Sequence, residues 1–184
     1  MEDRRYYYLT KPVFLIGFMG AGKTSVSRKL ARLCGVSSVD MDTYLQRRED
    51  CKIAEIFESY GEAAFRRIET DVLRELAAKP EPLLISCGGG VVTSPENIDI
   101  LKASGFVVYL NVTADEARAR IHNMSARPLF TDIENARARN VERRPLYEAA
   151  ADATVNTGSK SVGRLAHEVK DILEKEGILC PRPE

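Results

Sequence analysis

The octapeptide at residues 17–24 constrains this chain more than any other stretch, and it reads GFMGAGKT. It fits the pattern G-x-x-x-x-G-K-[ST] and directly follows an apolar run at residues 13–16. The segment 23–34 then repeats apolar side chains at helical spacing and stops before Gly35, a residue type that often ends helices. The octapeptide therefore lies between a predicted buried strand and a predicted helix, which is where a phosphate-binding loop (P-loop) must lie.

The residue types of the octapeptide suit a bound triphosphate. Glycines allow successive backbone N–H groups to face the phosphates, and the following helix adds the positive end of its dipole. Lys23 can neutralise the β- and γ-phosphates, and the Thr24 hydroxyl is a suitable ligand for Mg²⁺. A glycine-rich turn with an incidental lysine is the alternative. We expect the nucleotide contacts of this loop to come from Gly20, Ala21, Gly22, Lys23, Thr24 and Ser25.

Length and composition limit the class of protein. A chain of 184 residues with 44% hydrophobic residues has the size of one globular domain. Lysine and arginine together number 27, as do aspartate and glutamate, so no bulk positive charge favours nucleic acid or an anionic membrane as a partner. The longest apolar stretch, at residues 13–22, is about half the length of a membrane-spanning helix. We therefore expect a cytoplasmic protein, and a monomer by default.

Two aspartates follow a β-like run at residues 36–39, at the point where the run ends. Asp40 and Asp42 are separated by one residue, and the carboxyl ends of strands are where open α/β sheets bind ligands. Downstream of a P-loop, one carboxylate can hold Mg²⁺ directly or through water, and the other can accept a hydrogen bond from a substrate hydroxyl. A helix cap would also explain one of the two aspartates.

Arginines and glycines follow in two further segments. Residues 62–79, after a break at Gly61, have one apolar helical face, beside which lie Arg66 and Arg67. A guanidinium matches a carboxylate bidentately, so either arginine could bind an acidic substrate. An apolar strand then leads into the glycines at 88–90, which form either a tight turn or a wall that a small ligand can approach closely.

The segment 118–144 differs from its surroundings because it is rich in arginine and poor in large apolar residues. Such a stretch is difficult to bury. Beside an anion site it is typical of a mobile lid that excludes water and brings a guanidinium to the transferring phosphoryl group. A solvated basic helix is the competing interpretation. The arginines of the segment are Arg118, Arg120, Arg127, Arg137, Arg139, Arg143 and Arg144.

Strand-like runs alternate with helical patterns along the chain. The runs lie near Val13, Val36, Leu83, Val107 and Thr154. This alternation is typical of a parallel sheet covered by helices on both faces. We predict an α/β fold, a three-layer P-loop sandwich in one domain over residues 1–184, with the lid at 118–144 and an N-terminal extension at 1–11.

Seven stretches, in this order, resemble the shikimate kinase family along nearly the whole chain from Val13 onward. They are GFMGAGKT at 17–24, DMD at 40–42, IAEIF at 53–57, GEAAFRRIE at 61–69, GGGVV at 88–92, RPL at 127–129 and RRPLY at 143–147. The combination is far more specific than the P-loop alone. The resemblance implies the fold of nucleoside monophosphate kinases, with strand order 2-3-1-4-5. It also implies transfer of the γ-phosphoryl group of ATP to the 3-hydroxyl of shikimate.

On the acceptor side, the resemblance implies roles for individual residues. Asp42 is similar to the residue that binds and deprotonates the shikimate hydroxyl, while Arg66 and Arg143 are similar to the pair that clamps the carboxylate. Shikimate is a small polyol with one carboxylate, so a carboxylate, arginines and backbone groups are the partners that its site needs. The backbone contacts to shikimate would come from Gly88, Gly89 and Gly90.

On the donor side, the resemblance implies a site for ATP and Mg²⁺. Thr24 and Asp40 would serve the metal ion. Arg127 is similar to the lid arginine that reaches the ATP phosphates, Arg120 is similar to the one that lies over adenine, and Lys160 belongs to the segment near adenine. Phosphoryl transfer asks a protein mainly for alignment and charge stabilisation. The residues expected to act in the transfer itself are Asp42, Lys23 and Arg127.

Two other functions stay open from the sequence. A related kinase acting on a sugar acid such as gluconate would also need arginines for a carboxylate. A nucleotide-binding module without catalysis would keep the P-loop, although it would not need Asp42 placed for a hydroxyl. The chain departs from the family pattern where Gln46 replaces a more usual glutamate and Asn156 a more usual aspartate.

Overall fold

The computed structural model describes residues 7–120 and 132–183. The strands are β1 (Tyr7–Leu9), β2 (Val13–Ile16), β3 (Ser38–Asp40), β4 (Leu84–Ser86), β5 (Phe106–Asn111), β6 (Ala153–Asn156) and β7 (Leu179–Pro181). The helices are α1 (Lys23–Cys34), α2 (Met41–Glu49), α3 (Ile53–Ala77), α4 (Pro95–Ser104), α5 (Ala114–Arg120), α6 (Ile133–Ala150) and α7 (Val162–Lys175). Within these described ranges, no helix combines the length and the apolar character that a membrane span requires.

Five of the strands form one parallel sheet in the order β3-β4-β2-β5-β6. Counted along the chain, these five strands have the order 2-3-1-4-5, so the predicted α/β topology is confirmed. Helices flank the sheet, with α1 packed against α7 and α3 packed against α4. The neighbours β3, β4 and β2 run in the same direction, so their carboxyl ends meet at one edge of the sheet.

The sheet is central because its three middle strands, β4, β2 and β5, are buried along almost their whole length. Val13, Phe14, Leu15 and Ile16 of β2 are fully buried. A strand buried on both faces is a continuous apolar run rather than an alternating one, which explains the pattern in the sequence. Each such side chain contributes roughly 1.5–3 kcal/mol on leaving water, so β2 gives the loop that follows it a stable support.

Helix α3 consists of two helical segments that meet at Gly61. The backbone there has φ 78° and ψ 175°, a conformation that residues other than glycine avoid. The predicted break at Gly61 is therefore confirmed. The second segment is amphipathic, and its buried apolar side chains include Phe65, Val72, Leu73 and Leu76.

Three features of the fold have no clear signal in the sequence. Helices α2 and α4 are short, with 9 and 10 residues, and bury few apolar side chains. The strands β1 and β7 pair in antiparallel fashion, with Tyr7 opposite Pro181 and Leu9 opposite Leu179. Each of these strands has only 3 residues, and the two lie near opposite ends of the chain. The sequence of neither strand therefore predicts the pairing.

The predicted lid, residues 118–144, lies only partly within the described residues. Its first residues end α5, and its residues from Ile133 onward belong to α6. The second part of the segment is helical and buries Ala136 and Asn140, and the lid itself stays a prediction. Arg127 lies outside the described residues, so its role stays a prediction.

Candidate active site

The P-loop connects β2 to α1 and depends on two glycines. Gly20 has φ 78°, and Gly22, the N-cap of α1, has φ 93°, both in the region that favours glycine. A Cβ at Gly20 would lie 3.0 Å from the Cβ of Ala117, so the loop packs directly against α5. The chain can therefore turn sharply into the N-terminus of α1, where the helix dipole favours phosphate.

Lys23 begins α1, and its side chain lies along the P-loop. Its ammonium donates hydrogen bonds to the carbonyl oxygens of Gly17, at 2.7 Å, and Phe18, at 3.0 Å. The residue is only 8% exposed. The loop therefore holds a buried cation beside the N-terminus of α1, which suits the phosphates of a nucleotide.

Thr24 and Asp40 come from different elements and form one hydrogen-bonded cluster. The Thr24 hydroxyl donates to Asp40 Oδ2 at 2.6 Å and lies 3.2 Å from the hydroxyl of Ser86 at the end of β4. Asp40 Oδ1 accepts hydrogen bonds from the backbone N–H of Thr43 at 3.0 Å and from its hydroxyl at 2.9 Å. Asp40 is thus the N-cap of α2, so the capping interpretation also holds.

The chemistry of this cluster suits Mg²⁺. Partial burial raises the pKa of Asp40, but the hydrogen bonds from Thr24 and Thr43 outweigh burial and leave the pKa below its ordinary value. An ionised carboxylate and the neighbouring hydroxyls of Thr24 and Ser86 are hard oxygen ligands of the kind that Mg²⁺ prefers. No group of three acidic, histidine or cysteine side chains among the described residues could hold a metal by itself. A Mg²⁺ here would therefore share its ligand shell with phosphate and water oxygens.

Two carboxylates converge on the first glycine after β4. A Cβ at Gly88 would lie 3.0 Å from Asp42 Oδ1 and 3.0 Å from Glu69 Oε1. Asp42, in the first turn of α2, is exposed, whereas Glu69 of α3 is 2% exposed. The structure therefore brings the predicted residues Asp42 and Gly88 together, and it adds a buried carboxylate to which the sequence assigned no role.

Glu69 is paired with Arg66, which lies one turn earlier in α3. Arg66 Nη1 donates to Glu69 Oε2 at 2.7 Å, and Arg66 Nη2 lies 3.3 Å from Glu62 Oε1. Burial raises the pKa of Glu69, and the positive charge of Arg66 offsets this only in part, so the pKa stays above its ordinary value. The i, i+3 spacing of an arginine and a glutamate on a helix is the signal that could have identified this pair.

Arg66 also contacts the glycine loop from the side of α3. A Cβ at Gly90 would lie 2.5 Å from Arg66 Nη1 and 2.6 Å from Nη2, so a larger residue would displace the guanidinium. The groove of about 370 Å³ between α3 and α4 is lined by Arg66 and also by Arg67 and Arg74. Of the two arginines that the sequence left open, Arg66 is the one placed at the glycine loop.

The middle of the glycine loop lies between the P-loop and α6. The Gly89 carbonyl oxygen accepts a hydrogen bond from Arg143 Nη1 at 3.2 Å and another from the hydroxyl of Tyr147. A Cβ at Gly89 would lie 3.4 Å from the backbone nitrogen of Met19 in the P-loop. Arg143 is therefore placed beside the same loop as Arg66, although the two arginines come from α6 and α3.

Two residues predicted to lie near adenine have different surroundings. Arg120 ends α5 and donates to the carbonyl oxygens of Ala21, at 3.5 Å, and of Gly158. Lys160 forms an ion pair with Glu168 of α7, with N–O distances of 3.0 and 2.7 Å. Arg120 therefore contacts the P-loop, whereas Lys160 is paired with a side chain of α7.

The site has two halves that meet at the carboxyl ends of β3, β4 and β2. One half holds a buried lysine, a threonine hydroxyl and an ionised carboxylate beside a P-loop, which suits the phosphates of a nucleotide. The other half holds a carboxylate and two arginines around a glycine loop, which suits a small acidic acceptor with hydroxyl groups. Fold and site together define a P-loop phosphotransferase.

Comparisons with known proteins identify the family. The family model described as shikimate kinase matches residues 19–174. The shikimate kinase of Dehalococcoides mccartyi is 39% identical over 165 residues, which cover 89% of this chain and 93% of that protein. The solved shikimate kinase from Acinetobacter baumannii, in complex with shikimate, has a TM-score of 0.83 and 34% identity, over 90% of this chain and 94% of that one. The chain belongs to the shikimate kinase family.

A gluconokinase from Sinorhizobium meliloti is similar in fold but distant in sequence. Its TM-score is 0.57 at 17% identity, over 92% of this chain and 98% of that one. At this identity the similarity shows the shared fold alone. Membership of the shikimate kinase family makes the protein an ATP-dependent kinase.

Proposed function

We propose that this protein transfers the γ-phosphoryl group of ATP to the 3-hydroxyl of shikimate, which yields shikimate 3-phosphate and ADP in chorismate and aromatic amino-acid biosynthesis. The observation that carries the proposal is the meeting of Asp42, Arg66 and Arg143 around one glycine loop beside a P-loop. Shikimate has one carboxylate, which the two arginines can bind, and several hydroxyls, from which Asp42 can accept a hydrogen bond. The family assignment and a relative solved in complex with shikimate support the same substrate.

The residues of the acceptor half have two kinds of role, since one acts on the hydroxyl of shikimate and the others serve its carboxylate. Asp42 binds the 3-hydroxyl and takes its proton as the oxygen attacks the phosphorus. Arg66 and Arg143 bind the carboxylate from two sides, because they reach the glycine loop from different helices. Glu69 holds the Arg66 guanidinium in place. The backbone of the loop contacts the ring through Gly88, Gly89 and Gly90.

In the donor half, the protein aligns the nucleotide and stabilises its charge. Lys23 contacts the β- and γ-phosphates, and Thr24 with Asp40 holds Mg²⁺, which when bound neutralises charge on the phosphate oxygens. Arg127 approaches the phosphates from the lid, and Arg120 lies over adenine. Further nucleotide contacts come from Gly20, Ala21, Gly22, Ser25 and Lys160.

The decisive test is ADP release by the purified protein with Mg²⁺ and ATP. Four reactions are compared: no acceptor, shikimate, 3-deoxyshikimate and gluconate. We expect release with shikimate alone, because the 3-deoxy analogue keeps the carboxylate but lacks the attacking oxygen.

Each other outcome selects a different function. Turnover with gluconate alone would replace shikimate by a sugar acid and leave the kinase fold intact. ATP binding without release for any acceptor would favour the nucleotide-binding module without catalysis. Release with the 3-deoxy analogue would show that the phosphoryl group is transferred to another hydroxyl.

We also propose that the protein works as a cytoplasmic monomer, in one domain over residues 1–184, with a lid at 118–144 that closes over ATP. Every role proposed above falls to a residue of this one chain, so a single copy completes the site. Size-exclusion chromatography with light scattering should give a mass near the 20.5 kDa of one chain. A stable dimer at assay concentration would contradict the monomer.

A further inference from the structure

A buried tyrosine shares its hydrogen-bond acceptor with one of the proposed substrate-binding arginines. The Gly89 carbonyl oxygen accepts from the Tyr147 hydroxyl and also from Arg143 Nη1, the latter at 3.2 Å. Both donors belong to α6 and lie one helical turn apart. A carbonyl oxygen has two lone pairs, so the two hydrogen bonds can exist together.

The two donors differ in their freedom to move. Tyr147 is 1% exposed, and its ring stacks on Tyr109 of β5 with centroids 5.1 Å apart and planes at 19°. Burial raises the pKa of Tyr147, so its hydroxyl keeps the hydrogen that it donates. Arg143 is only partly buried and is proposed to bind the substrate carboxylate. One donor is therefore fixed by its packing, whereas the other has room to turn toward a bound carboxylate.

The free-energy cost of such a turn by Arg143 depends on Tyr147. The Gly89 carbonyl oxygen lies in a partly buried place, and such an oxygen pays a desolvation cost when it loses every donor. With Tyr147 in place, the Gly89 oxygen stays paired after Arg143 has left. We propose that Tyr147 is a positioning residue, which satisfies the Gly89 carbonyl permanently so that Arg143 can exchange this contact for the carboxylate of the substrate. The inference rests on the proposed function.

Tyr147→Phe tests the inference because it removes the hydroxyl and keeps the stacked ring. We expect the KM for shikimate to rise roughly threefold to tenfold, the effect of one hydrogen bond, while kcat and the KM for ATP stay within about twofold of the wild-type values. An unchanged KM for shikimate, or a matching change in the KM for ATP, would overturn the inference. A wild-type protein that does not turn over shikimate would instead reject the proposed function.

Tyr109→Phe is the matched control. It removes the hydroxyl of the stacking partner, which donates to Asn111 at 2.9 Å rather than to the glycine loop. The KM for shikimate should therefore stay at the wild-type value. An equal rise in both variants would mean that any lost hydroxyl in this stack disturbs the site, which contradicts a specific role for Tyr147.

A double-variant cycle with Arg143→Ala separates positioning from a general packing effect. If Tyr147 acts through Arg143, then adding Tyr147→Phe to Arg143→Ala should change kcat/KM for shikimate by less than about twofold. Independent effects that multiply in the double variant would show that Tyr147 acts by another route. They would overturn the inference.

The stability of Arg143→Ala gives a readout that does not need a folded Tyr147 variant. Tyr147 still donates to the Gly89 oxygen in this variant, so we expect Tm to stay within about 2 °C of wild type. A clearly larger fall in Tm would show that the oxygen requires Arg143. That result would contradict its release to the substrate.

Discussion

Asp42 and Glu69 lie beside the same glycine but in different environments. Asp42 is exposed at the start of α2, where a substrate can reach it, whereas Glu69 is buried and bonded to Arg66. A carboxylate that accepts a proton has to touch the substrate, and one that orients an arginine has to be fixed. We therefore propose that Asp42 takes the proton and that Glu69 positions Arg66.

Asp42→Asn tests the first assignment. An amide cannot take the proton of the acceptor hydroxyl, so kcat should fall by about 10²- to 10⁴-fold. The change lies outside the P-loop, so the affinity for ATP, measured by equilibrium binding, should change by less than about threefold. A variant that keeps most of its kcat would show that Asp42 is not the base.

Glu69 predicts a specific pH dependence of stability. Because burial raises its pKa above the ordinary 4.5, the folded state binds more protons than the unfolded state between that value and the raised one. The stabilisation from this group is therefore full at low pH and is lost as the pH rises through the raised pKa. Glu69→Gln should remove this loss. Denaturant unfolding at several pH values above 4.5 should show wild type losing stability relative to the variant.

Glu62→Gln is the control for that pH dependence. Glu62 contacts the same arginine at 3.3 Å, but from an exposed position. Its substitution should leave the pH profile of the unfolding free energy unchanged. If Glu69→Gln also kept the wild-type profile, burial of the Glu69 carboxyl would not be the cause.

Among the elements, three neighbouring strands assemble the site. Strand β3 leads into the aspartates, β4 into the glycine loop and β2 into the P-loop. Each of these signals is local, since it consists of an apolar run followed directly by residues with a distinct chemistry. Patterns of this kind can be predicted from sequence. Their meeting at one edge follows from the strand order, which came from the family resemblance rather than from the patterns.

Contacts between distant elements could not be predicted in the same way. Tyr147 looks like one aromatic residue on a basic helix, and nothing near it in the chain indicates the carbonyl of Gly89. The burial of Glu69 depends on how α3 packs against the glycine loop. The pairing of β1 with β7 depends on two short strands whose local pattern is weak. All three depend on tertiary packing, which local patterns do not contain.

Gly61→Ala tests whether the break in α3 is built into the backbone. Apart from the adjoining backbone of α3, no atom of the described residues lies within 4 Å of the position that a Cβ would take, so space is not the obstacle. The φ of 78° and ψ of 175° are instead strained for any residue but glycine, so the variant should lose about 1–3 kcal/mol of unfolding free energy. Denaturant unfolding measures the loss.

Gly163→Ala is the matched control for the break. Gly163 lies in α7 and has no positive φ, so alanine should stabilise the helix by up to about 1 kcal/mol. We therefore expect Gly61→Ala to lower the unfolding free energy and Gly163→Ala to raise it. If both substitutions changed the unfolding free energy in the same direction and by a similar amount, backbone strain at Gly61 would not be the cause.

For the whole molecule, the small sheet of β1 and β7 extends the core away from the site. Leu9 and Leu179 are both buried and lie opposite each other, and the N–H of Thr10 donates to the Ile178 carbonyl at 2.9 Å. No residue of the proposed site belongs to either strand. We therefore expect this sheet to contribute to stability and not to catalysis.

Leu9→Ala should separate the two contributions. Removing a buried leucine should lower the unfolding free energy by about 2–5 kcal/mol, while the KM values for shikimate and ATP stay within about twofold of wild type. Tyr8→Ala, at a position that is 41% exposed, is the control and should change stability by less than about 0.5 kcal/mol. A changed KM in Leu9→Ala would connect the sheet to the site.

The P-loop and the glycine loop leave the sheet from β2 and β4, which are hydrogen-bonded neighbours. Adjacent strands are about 4.8 Å apart whatever their sequence, so the backbone fixes the distance between the two loops. It thereby also limits the reach from the phosphate donor to the alcohol acceptor. Engineering for a bulkier alcohol cannot lengthen that reach without breaking the sheet. The side chains that α2 and α3 bring to the glycine loop are Asp42, Arg66 and Glu69, and their proposed roles prevent them from being shortened to make room. Selection for bulkier acceptors should therefore leave both loops and these three side chains as they are.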